Sequence, residues 1–493
     1  MDQTLEVLGF LAYAFIFVVG IGVLVVLVLF VIDVTQTKQA VRRNFPVIGR
    51  FRYLFEHLGE FFRQYFFALD REELPFNRAE RSWAYRASKD VDNTIAFGST
   101  RDLRKVGTAI FVNDPWPVLE DDVAQPQEIE IGPGSAQPYK SSAIINISAM
   151  SYGAISRPAV LALSAGAKRA GVWLNTGEGG LSQHHLAGGA DLVFQIGTAK
   201  YGVRDARGEL SDTKLAEVAA HPEVVMFEIK LSQGAKPGKG GILPAIKVTE
   251  EVATIRGIPV RQASISPNRH PEIDSPGDLL DMIERVRRVT GKPTGFKAVM
   301  GGFEWLEVLY AEIQARGLGS APDFITLDSG DGGSGAAPMP LMDSVGLMVR
   351  ESLPLLVDGL VRAGLRERIK VIASGKMVVP AEVAWAYCAG ADFVASARGF
   401  MFALGCIQAM QCNKNTCPTG VTTHNPRLQR GLDPAHKAVR VYNYAKIMTK
   451  EVGMIAHSCG VAEPRLLNRS HCRIVQDNGQ SVPLAEIYPP IAR

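Results

Sequence analysis

FITLDSGDGG, residues Phe324 to Gly333, is a short apolar and β-branched run that breaks abruptly into an acidic, glycine-rich turn. Such a run reads as a buried strand whose far end is shaped for function. Working outward, the same punctuation recurs at AIINISAM (Ala143 to Met150), VWLNTG (Val172 to Gly177), VMFEIKLSQG (Val225 to Gly234), QASISP (Gln262 to Pro267), GFKAVMGG (Gly295 to Gly302), VIASG (Val371 to Gly375) and DFVASARG (Asp392 to Gly399). Helix-like stretches separate them, which implies parallel pairing, and eight such strands predict an α/β fold of the (β/α)8 barrel type. LVFQIG (Leu192 to Gly197) would be a ninth strand and is set aside as an insertion. In barrels of this kind functional groups gather at the C-terminal strand ends, where the glycines and charges of these runs fall.

The 493 residues carry 53 basic against 50 acidic side chains, a formal charge of +3, so no global field points to nucleic acid. From Val7 to Ile32 there is no charged residue. At ~1.5 Å per residue that helix exceeds a ~30 Å hydrocarbon core, which predicts one transmembrane helix. It opens with Asp2 and Glu6 rather than a positive n-region, which favours a retained anchor over a cleaved signal. Lys38, Arg42, Arg43, Arg50 and Arg52 follow it while no Lys or Arg precedes it. The positive-inside rule then puts the remainder in the cytoplasm, as a single-pass protein of the cell (inner) membrane. FRYLFEHLGEFFRQYFF (Phe51 to Phe67) has aromatics at helical spacing. Its stripe suits either the membrane surface or packing against the catalytic domain. The expected organisation is an anchor over 1–36, a juxtamembrane and mixed lead-in segment over 37–140, the barrel over 141–461 and a C-terminal extension over 462–493.

Cys406, Cys412 and Cys417 form a C-x5-C-x4-C array ahead of Pro418. Closely grouped thiolates on a tight loop converge on an iron–sulfur core, and three ligands suit a [3Fe-4S] cluster. Structural zinc takes four N or S ligands, commonly in C-x2-4-C pairs, and three plain buried thiols would leave the same sequence. Cys388, Cys459 and Cys472 read as ordinary buried thiols.

SAMSYGAIS from Ser148, NTGEGG from Asn175, EIKLSQGAKPGKGG from Glu228, ISP from Ile265, DSGDGGSGA from Asp328 and GC-x5-C-x4-C from Gly405 occur in order. Over about Ser141 to Val461 they resemble the FMN- and [3Fe-4S]-containing synthase domain of glutamate synthase. The resemblance implies an FMN-binding barrel and identifies the cluster as [3Fe-4S]. The glutamine-hydrolysing amidotransferase domain of the full-length enzyme is expected to be absent, since Met1 and Asp2 lead into the apolar helix. Where the family has a lysine followed by Leu-Val-Ser-Glu this chain reads Lys297-Ala298-Val299-Met300-Gly301. Where the family has Pro-Pro-His-His after Ile-Ser-Pro this chain reads Asn268-Arg269-His270-Pro271. Both departures fall near the expected substrate.

The site follows residue by residue. Flavin phosphate needs close backbone N–H groups, which glycine permits. The candidates are Asp331, Gly332, Gly333, Gly375 and the turn at Ala397 to Gly399, with Lys376 and Arg398 as countercharges; plain strand-end turns would show the same glycines. Met150, Ser151, Gly153, Thr176 and Gln233 are placed around the flavin by the resemblance. Lys297 on the fifth strand resembles the lysine beside flavin and substrate, and a cation there stabilises the reduced form. Lys230, on the third strand as counted, is a second catalytic candidate, and Glu178 an acid/base or ammonia-orienting carboxylate or else a turn cap. Arg269 and His270 suit a substrate carboxylate or a loop ion pair, and His184 and His185 are similarly open.

The expected activity is reduction of the imine of 2-oxoglutarate and ammonia to L-glutamate, with electrons entering through the cluster or at FMN. Ferredoxin, a reductase subunit or quinone would supply electrons, and a separate amidotransferase subunit or solution would supply ammonia. The alternatives are a related oxidoreductase using another 2-oxo acid or amine, and a non-catalytic electron-transfer membrane subunit.

Overall fold

The computed structural model describes residues 2–62 and 66–491; Met1, Arg63 to Tyr65 of the aromatic run, and the last two residues lie outside them. The chain divides into two compact units, Met1–Ala79 and Glu80–Arg493.

The first unit is helical: α1 (Asp2–Thr35), α2 (Ala40–Asn44) and α3 (Gly49–Phe62). Gln3–Thr35 is long and apolar enough to cross a membrane, with a mean hydropathy of 3.4 over its most apolar 18 residues, none of them buried. At the end of α1, Asp33 is wholly buried and accepts hydrogen bonds from Arg42 (2.6 Å), Arg50 (2.8 Å) and the Val47 N–H (3.0 Å). Val47 is held left-handed at φ 68° to make that contact.

The second unit is built on a closed parallel barrel of eight strands. They are β1 (Ile145–Ile147), β2 (Leu174–Asn175), β3 (Leu192–Ile196), β4 (Val224–Lys230), β5 (Thr294–Val299), β6 (Phe324–Asp328), β7 (Lys370–Ser374) and β8 (Phe393–Ser396). Each pairs with its chain neighbour and β8 closes on β1. The barrel expectation holds, but two of its members change places. LVFQI is barrel strand β3, not an insertion, and every residue in it is buried. QASISP is not a barrel strand: Ser264–Ile265 pairs antiparallel with Ile242–Leu243 in the excursion between β4 and β5, and Ile265 is 61% exposed. A barrel strand is covered on both faces, so the continuous apolar run wins over one that alternates with small polar residues. Lys230 therefore belongs to the fourth strand, where it lies in register beside Lys297 of β5.

The N-terminal mouth of the barrel is plugged by Ile131, Trp173, Met226, Phe324 and Phe393. Ile131 comes from a hairpin, Ile129–Ile131 with Tyr139–Ser141, that precedes the barrel. Apolar packing at this end leaves the polar strand ends together at the other. The helices carry local start and stop signals. Arg157–Ala170 is N-capped by Ser156 and ends at Gly171 with φ 66°; Pro276–Thr290 has a Ser275/Asp278 capping box. Pro434–Ser458 lies along Arg157–Ala170. Outside the barrel Ala109–Phe111 pairs antiparallel with Cys472–Val475, which pairs in turn with Ser481–Pro483.

Candidate active site

Two adjoining cavities open at the C-terminal ends of the strands, the inner of about 80 Å³ and the outer of about 130 Å³. Ser151, Glu178, Gln233, Gly333, Ala397 and Arg398 line both.

Buried ion pairs form the floor of the inner cavity. Lys230 Nζ lies 2.7 Å from Glu178 Oε1 and also meets the Gln233 amide oxygen. Lys297 Nζ lies 3.0 Å from Asp328 Oδ2, and that carboxylate accepts the Gly234 N–H at 3.0 Å. Charges this deep persist only when paired. Burial pushes the Glu178 carboxyl up, but Lys230, Lys236 and Arg256 outweigh it and hold it below the usual carboxylate range. Burial likewise raises the Asp328 carboxyl while Lys297 and the Gly234 N–H bring it down further. For Lys297, desolvation would favour the neutral amine; Asp328 and Glu228 more than offset this, so it stays charged. One layer below, buried Glu228 accepts from Asn175 Nδ2 (2.8 Å), Gln195 Nε2 (2.7 Å) and Thr326 Oγ1 (2.5 Å).

The rim is made by the turns after β6, β7 and β8. Gly375 sits at φ 118°, where a Cβ would lie 2.2 Å from Ser329 Cβ, so only glycine permits the turn. A Cβ on Gly333 would fall 2.8 Å from Arg398 Nε. Arg398 opens the short helix Arg398–Leu404 and donates to the Ser334 carbonyl at 2.9 Å. Lys376 lines the inner cavity and reaches Asp331 at 2.9 Å.

The outer cavity carries more cations than anions: Lys236, Lys247, Arg256 and Arg398 against Glu178. Desolvation, with Lys230 nearby, brings Lys236 down to about 8. Burial also brings Lys247 to about 8, despite the opposing pull of Cys412 and Cys417. Arg256 Nε is buried without a hydrogen-bond partner. Met150 and Cys412 complete this wall.

Several sequence-predicted residues do not reach either cavity. Thr176 is buried, donating to the Gly177 carbonyl and accepting from the Gln195 N–H. Gly153 packs on Val252, Leu243 and Arg256, and Gly332 on the Ser329 carbonyl. Asp331 faces Lys376 and Ser329. Arg269 is 61% exposed at its side chain and pairs with Asp274 at 2.7 Å. His270 is buried, its Nε2 donating to the Lys230 carbonyl at 3.1 Å; burial lowers it to about 4 and keeps it neutral. His184 contacts Glu251 at 2.6 Å and His185 is tied to Ser182, so both serve the loop that carries Glu178. Sequence reasoning missed Gln195, Glu228, Lys236 and Arg256. Gln195 was lost when its strand was set aside, whereas Lys236, in the glycine-rich AKPGKGG turn after a strand, was open to detection.

The cysteine loop winds through left-handed residues at Gly405, Gln408, Met410 and Asn415. Tyr85 donates to the Cys406 carbonyl at 2.7 Å and Lys247 to the Cys412 carbonyl at 3.1 Å. Burial, reinforced by Cys412 and Cys417 and opposed by Arg398, brings the Cys406 thiol up to about 11. Burial raises Cys417, but hydrogen bonds from Thr419 and Thr422 lower it on balance. Among the described residues no three His, Cys, Asp or Glu side chains converge closely enough to hold a metal ion.

Residues 103–462 match the family model described as the conserved region in glutamate synthase. The glutamate synthase large subunit-like protein YerD of Bacillus subtilis is 38% identical over 491 residues, covering 92% of this chain and 93% of that one. Archaeal glutamate synthase [NADPH] of Methanocaldococcus jannaschii is 34% identical over 320 residues, covering 64% of this chain and 59% of that enzyme. A mandelate oxidase structure overlays with a TM-score of 0.45 at 16% identity, covering 80% of this chain and 98% of that one. With the family model spanning most of the barrel unit, the chain belongs to the glutamate synthase family of oxidoreductases.

Proposed function

We propose that this protein is a membrane-anchored, FMN-dependent member of its family that makes an amino acid from a 2-oxo acid and ammonia, with the barrel unit facing the cytoplasm. The observation that carries the reading is the set of buried Lys230–Glu178 and Lys297–Asp328 pairs under a rim of Gly333, Gly375 and Arg398. The rim fits a phosphate, because a Cβ would obstruct both glycines and cations stand on either side. Gly333, Gly375, Lys376, Ala397 and Arg398 would hold the phosphate, and Met150, Ser151, Gln233 and Lys297 would border the ring. When bound, FMN supplies the hydride that converts an imine to an amine, giving L-glutamate from 2-oxoglutarate and ammonia.

The chain's own groups prepare that chemistry. Lys236, Arg256 and Arg398 offer cations to the carboxylates of a 2-oxo acid in the outer cavity. Glu178, ionised and shared between the cavities, orients ammonia and accepts its N–H groups while Lys230 holds the carboxylate in place. Lys297 keeps a fixed positive charge where negative charge develops. Cys406, Cys412 and Cys417 have the donor chemistry of a [3Fe-4S] cluster and would be the thiolates to hold one, with Cys412 on the wall of the outer cavity, but the three do not converge on one point in this structure and no electron step is assigned to them. Ferredoxin, a reductase subunit or membrane quinone would donate the electrons, and ammonia would come from solution or a separate amidotransferase.

The test is direct. Detergent-purified protein, analysed anaerobically for flavin and iron and then reduced, should form L-glutamate on addition of 2-oxoglutarate and ammonium, detected by mass spectrometry. A flavin that remains reduced with no amino acid formed refutes this substrate pair. Arg269 lies outside both cavities, which favours testing a second reading alongside, with other 2-oxo acids and methylated amines in the same assay.

A further inference from the structure

Among the described residues, α3 presents an apolar face that is largely exposed. At about 100° per residue, Phe51, Leu54, Phe55, Leu58 and Phe62 fall within roughly a third of its circumference. Phe51, Leu54, Phe55 and Phe62 are 55%, 49%, 65% and 43% exposed, and the Phe51 and Phe55 rings stack at 6.4 Å. Glu56 stands toward the opposite side and Arg52 on the flank of the face, both exposed.

The start of this helix is fixed relative to the apolar span. The Asp33 carboxylate binds Arg42 of α2 and Arg50 in the first turn of α3, so one buried anion ties the end of α1 to the origin of α3. α3 therefore begins at the level where α1 leaves its apolar stretch. The exposed cations Lys38, Arg43 and Arg52 flank the same corner, and Phe45 and Ile48 in the connection are 64% and 73% exposed. Positive charge beside an uncovered aromatic face complements an anionic lipid surface better than it does a polar protein face.

We infer that α3 lies in the headgroup zone of the leaflet that α1 exits, with Phe51, Leu54, Phe55 and Phe62 toward the acyl chains, Arg52 on the flank at headgroup level and Glu56 toward water. This rests on the anchored reading of α1 above and adds a second, in-plane contact to it. The span fixes the protein to the bilayer, and α3 limits rotation about that span.

Photocrosslinking of the full-length protein in vesicles of phosphatidylethanolamine and phosphatidylglycerol tests the inference. Photoreactive p-benzoyl-phenylalanine would replace Phe55, Glu56 or, as a reference within α1, Leu24. The expected result is phospholipid adducts at position 55 in a yield comparable to that at 24, and loss of those adducts at 56. Peptide adducts between position 55 and any segment of Glu80–Arg493 would overturn the inference in favour of packing on the barrel unit. Equal, low lipid labelling at 55 and 56 would overturn it in favour of a solvated helix. If position 24 also gives no lipid adduct, the anchored reading itself fails, an outcome separate from failure at position 55 alone.

Discussion

Glu228 is the least solvated carboxylate near the site and has three neutral donors, from Asn175, Gln195 and Thr326. A Glu228→Gln exchange sets an amide N–H₂ against at least one of those donors, so it should destabilise the barrel unit by about 1–3 kcal/mol in urea denaturation. No loss would mean that the carboxylate is not held as drawn. Lys236 makes a pH-dependent prediction. Its proton leaves near pH 8, so 2-oxoglutarate should bind more weakly as pH rises through about 8, as read by calorimetry. Lys236→Gln should weaken binding at neutral pH by roughly tenfold and flatten the profile, the scale of one screened charge pair. Stability runs the other way. Between about 8 and 10.5 the unfolded chain binds the extra proton, so the penalty that this buried ammonium places on the ligand-free fold, full below about 8, is relieved as pH rises across that window. That Lys230, Lys297 and Glu178 line the inner cavity was legible, because a charged residue at or just beyond the end of an apolar strand is turned away from the packed core. Arg269 was a plausible anion ligand by type, but its neighbour Asp274, five residues on, offers a local partner that composition cannot rank against a substrate.

Among the elements, the turn after β7 is the most exacting. Gly375→Ala adds a Cβ 2.2 Å from Ser329 Cβ at φ 118°, and should cost about 2 kcal/mol or more and release flavin during gel filtration. Full flavin retention with an unchanged melting curve would remove the turn from the proposed phosphate cradle. Seven of the strands were readable from apolar runs ending in glycine or serine, because a parallel barrel strand is buried on both faces and its end must turn sharply. The exchange between LVFQI and QASIS shows where that signal weakens. Ser264–Ile265 forms a genuine strand pair, but a two-residue one with Ile242–Leu243 inside the excursion, and periodicity over so few residues cannot tell such a pair from a barrel member. The hairpin Ile129–Ile131 with Tyr139–Ser141, which plugs the barrel, was likewise hidden because it lies in a region without strand–helix alternation.

At the scale of the molecule, the division at Ala79 separates a helix long and apolar enough to cross a membrane, and the aromatic helix after it, from the unit that holds both cavities. A fragment beginning at Glu80 should therefore leave the membrane fraction with its flavin spectrum intact. Apoprotein in that fragment would show that the first unit supports cofactor binding as well as anchoring. The antiparallel pair of Ala109–Phe111 with Cys472–Val475 adds a constraint on biosynthesis. During translation the earlier strand emerges from the ribosome before any part of the barrel, and its partner appears only after all eight barrel strands have been made. The seam thus closes late, and a nascent chain interrupted before Val475 would leave Ala109–Phe111 as an open edge, exposed to proteases and to neighbouring chains.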